Sequence, residues 1–165
     1  MAQDFKERHQ RRVRSKKLAE ELKRKGNEAM KHGLYKSAMH HYTEALEERK
    51  DYLALYTNRA LVALKLEDAQ QAIDDCSRVL EYCEVFHDGY QKEKDLCYKA
   101  LLRRGLANKF QRDFDLAKAD FDEAKKIEAG QIARSILQMR SVYHQTVLAL
   151  LVRAPASAGP GQFCL

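Results

Sequence analysis

The stretch Gly26-Asn-Glu-Ala-Met-Lys-His-Gly33-Leu-Tyr35-Lys-Ser-Ala38-Met-His-His-Tyr42-Thr-Glu-Ala45 returns twice more in altered form. Gly26, Ala38, Tyr42 and Ala45 are matched 34 residues on by Ala60, Ala72, Cys76 and Val79, and a further 45 on by Gly105, Ala117, Phe121 and Ala124. The second interval is one period plus 11 residues, which must lie between the second and third copies. A spacing of ~34 residues with short side chains at fixed points marks stacked helix–turn–helix units. Two antiparallel helices approach closely only where side chains are short. Gly26, Ala60 and Gly105 are therefore expected to face Ala38, Ala72 and Ala117, with aromatic rings in the next layer. A generic alanine-rich bundle has no reason to repeat at a fixed interval.

Composition agrees with an all-α chain. Only 7 Gly and 2 Pro interrupt 165 residues, and both prolines, Pro155 and Pro160, fall in the last dozen, so helix breakers are nearly absent before them. At 45% hydrophobic and 33% charged, the chain suffices for one domain but not comfortably for two. The opening Met-Ala-Gln-Asp-Phe-Lys-Glu-Arg is too polar for a secretory signal. The longest apolar run, Val147 to Val152, is far below the ~20 residues of a membrane span. A cytoplasmic protein is expected. Cys76, Cys83, Cys97 and Cys164 show no Cys-x-x-Cys spacing and are read as free thiols, Cys76 as a small buried hydrophobe.

Working outward, residues 1–18 form a basic leading segment of low order, helical or frayed, and solvated. Residues 19–152 form the repeat domain. Its first pair is Ala19–His32 and Leu34–Arg49, with Gly33 as the left-handed stop, and its second is Tyr52–Leu66 and Ala69–Cys83, turned at Glu67-Asp68. The insertion near 84–97 is read as a lengthened helix, a turn at His87–Gly89 and a new helix from about Gln91. The third pair runs to about Phe110 and from Phe114 to Glu128, closed by Ala129-Gly130. Ile132, Ile136, Met139, Tyr143, Val147 and Leu150 then form an apolar stripe at steps of three or four, expected to be a C-terminal capping helix. Residues 153–165 are a small-residue tail, expected to be disordered.

Within the repeats, Lys23, Asn27, Asn58, Lys99 and Arg103 all lie on first helices. They occupy slots 2, 5/6 and 9 of their repeats, which share one helical face. First helices of a stacked solenoid line its concave groove, so the three stripes converge there. Three cations and two amides suit a carboxylate: Lys and Arg bring charge, Arg brings two parallel donors, and Asn donates without adding charge. A C-terminal Asp, with two carboxylates in one residue, matches better than an internal peptide segment.

On these motifs the chain resembles the tetratricopeptide repeat family over roughly Ala19 to Glu128, a fold of three helix-turn-helix repeats in a right-handed superhelix. Lys23-Arg-Lys-Gly-Asn27, Leu55-Tyr-Thr-Asn58-Arg-Ala and Lys99-Ala-Leu-Leu-Arg103-Arg-Gly are similar to the dicarboxylate-clamp subset. The resemblance implies that these five residues hold the C-terminal Glu-Glu-Val-Asp tail of the seventy- and ninety-kilodalton heat-shock chaperones. Two of the chain's three asparagines stand at clamp positions. The implied protein is a co-chaperone or adaptor with no cofactor and no metal. Basic segment and clamp together also resemble the tetratricopeptide co-chaperones of axonemal dynein assembly. The family pattern is broken at Ala69, where an aromatic such as Tyr35 or Phe114 is usual, and no proline closes a repeat.

Two rival functions remain. Residues 6–25 hold ten Lys/Arg against three Glu, and the net charge is +6. Such a run can be a solvated helix face, a nuclear address, a contact for an acidic partner, or a nucleic-acid surface. It lacks the interleaved aromatics of base stacking. Catalysis is disfavoured because no metal-protease, nucleophile-elbow or phosphate-loop motif occurs, and His40 and His41, being adjacent, diverge on a helix.

Overall fold

The computed structural model describes residues 2–86 and 93–130. They form six helices: α1 (Ala2–Lys31), α2 (Tyr35–Glu48), α3 (Leu53–Lys65), α4 (Ala69–Phe86), α5 (Lys94–Phe110) and α6 (114–130). No strand occurs among the described residues. Consecutive helices pack as pairs and α3 also packs on α5, the neighbour and next-neighbour pattern of an all-α solenoid. The chain divides into units of residues 1–127 and 128–165, the second described only over 128–130. None of the described helices is long and apolar enough to cross a membrane.

The three turns inside the pairs repeat one design. Gly33, Glu67 and Arg112 all adopt positive φ, of 71°, 62° and 67°. In each, the next amide reaches back to a carbonyl five residues earlier: Leu34 to Ala29, Asp68 to Ala63 and Asp113 to Asn108, all at 2.9 Å. This closure satisfies helix-end carbonyls that would otherwise lack partners. Only the first turn uses glycine, so Glu67 and Arg112 carry the steric cost of a side chain in the left-handed region.

The close approach of paired helices differs from the sequence expectation. Gly26 and Gly105 face rings rather than alanines: a Cβ at Gly26 would lie 2.6 Å from the Tyr42 ring, and one at Gly105 would lie 2.7 Å from that of Phe121. The aromatic needs the missing Cβ because a ring edge fills the volume that two short side chains would share. In the second repeat Ala60 and the smaller Cys76, both fully buried, stand at the equivalent places. Ala38, Ala72 and Ala117 are buried as well.

A second polar repeat, not read from sequence, ties the pairs together. Arg59 donates from Nε and Nη2 to the Asp75 carboxylate at 2.8 and 2.7 Å and from Nη1 to Thr43 Oγ1 at 3.3 Å. Arg104 grips Asp120 at 2.6 Å and reaches Ser77 Oγ at 3.3 Å. Each arginine thus joins the second helix of its own repeat to that of the repeat before. Asp75 and Asp120 are buried, and two-point pairing to guanidinium offsets their loss of water.

Several boundaries shift. The leading segment is not of low order: α1 runs unbroken from Ala2 through residues 1–18 into the first repeat, because Ala19, Leu22, Gly26 and Ala29 anchor a helix that simply continues. α4 extends to Phe86, as a lengthened helix requires, and α5 runs from Lys94; Gln91, near which that helix is expected to begin, lies outside the described residues. The last pair does not close at Ala129-Gly130, which are still helical. The turn at His87–Gly89, the capping helix and the tail lie outside the described residues.

Candidate functional site

Three of the five sequence-selected residues, Asn27, Asn58 and Arg103, sit in a connected patch on α1, α3 and α5. Asn27 Oδ1 accepts the Tyr42 hydroxyl at 2.6 Å and the Asn58 amide at 3.5 Å. With its oxygen occupied by two donors, the Asn27 amide is left to present N–H groups outward, and Asn58 keeps a second N–H. Burial pushes the Tyr42 phenol upward, partly offset by the charge of Arg103, so it stays a donor across the neutral range. One repeat further, Arg103 donates Nη1 to the backbone carbonyl of Thr57, next to Asn58.

Arg103 is the electrostatic oddity. Its guanidinium is partly buried, and desolvation pulls its pKa down, offset in part by Cys76 and Tyr42. No carboxylate pairs with it among the described residues. A desolvated cation held by one carbonyl and no anion retains capacity for a negatively charged ligand.

Lys23 is positioned differently. It pairs with Glu20 at 2.7 Å, donates to the Tyr52 hydroxyl and lies 4.6 Å from the centre of that ring. Tyr52 in turn donates to Glu20 at 2.7 Å. Burial alone would depress the Lys23 ammonium, but the hydrogen bonds to Glu20 and Tyr52 outweigh it and its pKa is raised. Lys23 is therefore always charged, and a ligand carboxylate would have to share it with Glu20. Lys99, one helical turn before Arg103 on α5, is exposed and makes no hydrogen bond or ion pair with the other four among the described residues. The supports Tyr42, Tyr52, Glu20 and Thr57 escaped the sequence reading. Tyr42 left one trace: of Tyr42, Cys76 and Phe121, it alone carries a hydroxyl.

The thiols are set behind this face. Cys76, Cys83 and Cys97 are buried and free. Burial pushes Cys76 up to about 12, and Cys83 and Cys97, which meet between α4 and α5, are raised for the same reason. These neutral thiols are core packing rather than nucleophiles.

Stacked helix pairs with a repeating period and this polar patch define an all-α repeat domain. The chain belongs to the tetratricopeptide repeat family: it is 30% identical to the Arabidopsis OM64 tetratricopeptide repeat domain, covering 79% of this chain and 98% of that one, with a TM-score of 0.61. It is also similar to the second such domain of human RPAP3, solved in complex with the HSP70 peptide SGPTIEEVD, at 28% identity over 70% of this chain and 88% of that one, TM-score 0.59. Human Tetratricopeptide repeat protein 12 is 38% identical over 124 residues, which are 75% of this chain. The chain spans only 16% of that relative's length. No family model matches the chain.

Proposed function

We propose that the groove formed by α1, α3 and α5 binds the C-terminal acidic tail of a heat-shock chaperone, through Lys23, Asn27, Asn58, Lys99 and Arg103, and that the chain acts as a co-chaperone or adaptor module rather than an enzyme. The observation that carries this reading is Arg103, a partly buried guanidinium without a carboxylate partner among the described residues, beside Asn27, whose side-chain oxygen already accepts two donors, and Asn58, which is one of those donors. Such a site favours an anion with several acceptor atoms and gives a neutral or cationic ligand little to bind. The similar RPAP3 domain holding a peptide ending in Glu-Glu-Val-Asp supports the same ligand class.

The test is a titration of a Glu-Glu-Val-Asp peptide into the wild type, a Lys99→Ala/Arg103→Ala variant and a Lys118→Ala/Lys125→Ala variant that removes the same charge from exposed positions on α6. Removing charge-assisted contacts at a desolvated site costs about 2 kcal/mol or more, roughly thirtyfold in affinity. Loss in the first variant with retention in the second is expected. Equal affinity in all three refutes the groove as the contact surface.

A further inference from the structure

From Arg8 to Ala19 the first helix carries six cations and no carboxylate. Arg8, Arg12 and Lys16 follow one another at four-residue steps, a like-charge arrangement that works against an isolated helix. The segment is nonetheless helical throughout, and it is fastened to the repeats where Ser15 Oγ donates to the Glu48 carbonyl at 2.6 Å. That bond places the extension against the end of α2 and the turn into α3. Between them lies a cleft of about 590 Å³ lined by His9, Arg12, Lys16, Glu48, Arg49 and Asp51 among others.

The charges in this cleft are not self-cancelling. Arg49 and Asp51 form a two-point pair, both bonds at 2.6 Å, and that pair holds the Asp51 carboxyl below its usual range, with the charge of Arg12 a lesser contribution. Arg12 and Lys16 make no ion pair among the described residues and are exposed. His9, Arg12 and Lys16 also fall on the helical stripe that continues through Glu20 to Lys23 and Asn27, because successive steps of three or four keep one face.

We infer that this cleft is a second anion-binding site, taking an internal acidic segment of a partner protein: a run of Asp or Glu side chains with no need of a free C-terminus. Glu48 and the Arg49–Asp51 pair give the walls acceptors and donors for a peptide backbone, which a continuous polyphosphate chain would not use. No Phe, Tyr or Trp lines it and His9 is its one ring, so a run of unpaired bases would find no series of stacking surfaces there.

The probe is fluorescein-labelled hexaglutamate with an amidated C-terminus, followed by anisotropy at low salt with the full chain. An Arg12→Gln/Lys16→Gln variant should bind about tenfold more weakly, two exposed charges contributing modestly each. Lys118→Gln/Lys125→Gln, with the same change in net charge, should bind as the wild type does. Lys99→Ala/Arg103→Ala should also leave this probe unaffected, which separates the cleft from the groove. Equal weakening in both glutamine variants, or in neither, overturns the inference. So does tighter binding of a short DNA duplex than of the peptide with the same dependence on Arg12 and Lys16.

Discussion

Asn58 with Arg59, and Arg103 with Arg104, are chain neighbours at equivalent places in the second and third repeats, turned about 100° apart on their helices. Their surroundings are opposite. Arg59 and Arg104 point into the joints between repeats, where Asp75 and Asp120 neutralise them at 2.7 and 2.6 Å. Asn58 and Arg103 turn to the groove, where Arg103 meets a carbonyl and no carboxylate. The same arginine chemistry is spent on architecture at one position and left available for a ligand at the next. Charge count alone cannot tell these uses apart; the presence of a carboxylate 16 residues downstream can.

The comparison is broken most severely from its structural side. Asp75→Ala strands Arg59 in a half-buried joint, and breaking a buried pair in this way costs about 3 kcal/mol or more. Urea denaturation should show that loss, while the protein that remains folded binds a Glu-Glu-Val-Asp peptide normally. The groove variant Lys99→Ala/Arg103→Ala should do the reverse, losing roughly thirtyfold in affinity with a smaller change in the denaturation midpoint.

Alkali sharpens the contrast between core and groove. The Cys76 thiol, about 12 when folded, is ~8.5 in an unfolded chain. Because the folded value is the higher, the unfolded chain releases its proton first. The stability contributed by burying a neutral thiol is complete below pH ~8.5 and is lost as pH rises toward about 12. Wild-type stability should therefore fall more steeply than that of Cys76→Ala when denaturation is compared at about pH 8 and about pH 10.

Two smaller effects follow. Glu20 competes for Lys23 inside the groove, so Glu20→Gln should tighten peptide binding by about threefold, the scale of one half-exposed ion pair; weaker binding would show that Glu20 orients Lys23 rather than occupying it. In the turns, Arg112→Gly relieves a side chain at φ 67° and should raise stability by about 0.5 kcal/mol, the strain removed exceeding the added freedom of the unfolded chain.

The period of small residues was enough to read the helix pairs, because packing distance is written directly into side-chain size. It misassigned the partners: Gly26 and Gly105 serve rings 16 residues on, and only coordinates distinguish a gap left for Tyr42 from one left for Ala38. The leading segment was read as helical or frayed and of low order; the helical alternative is the one found, because the anchored α1 and the Ser15 bond to α2 carry the helix through it. At the groove, residue type and helical stripe selected Asn27, Asn58 and Arg103, which the structure links through Tyr42 and Thr57. The supporting hydroxyls of Tyr42 and Tyr52 were invisible because their roles depend on contacts between residues 15 and 32 apart.

The central claim is that the groove recognises a terminal carboxylate through amides and through cations of which Arg103 has no carboxylate partner among the described residues. Isothermal titration of two Glu-Glu-Val-Asp peptides, identical except that one ends in a free carboxylate and the other in an amide, tests it most directly. The free acid should bind at least about thirtyfold more tightly, about 2 kcal/mol, at physiological salt. Equal affinity for the two would contradict the account.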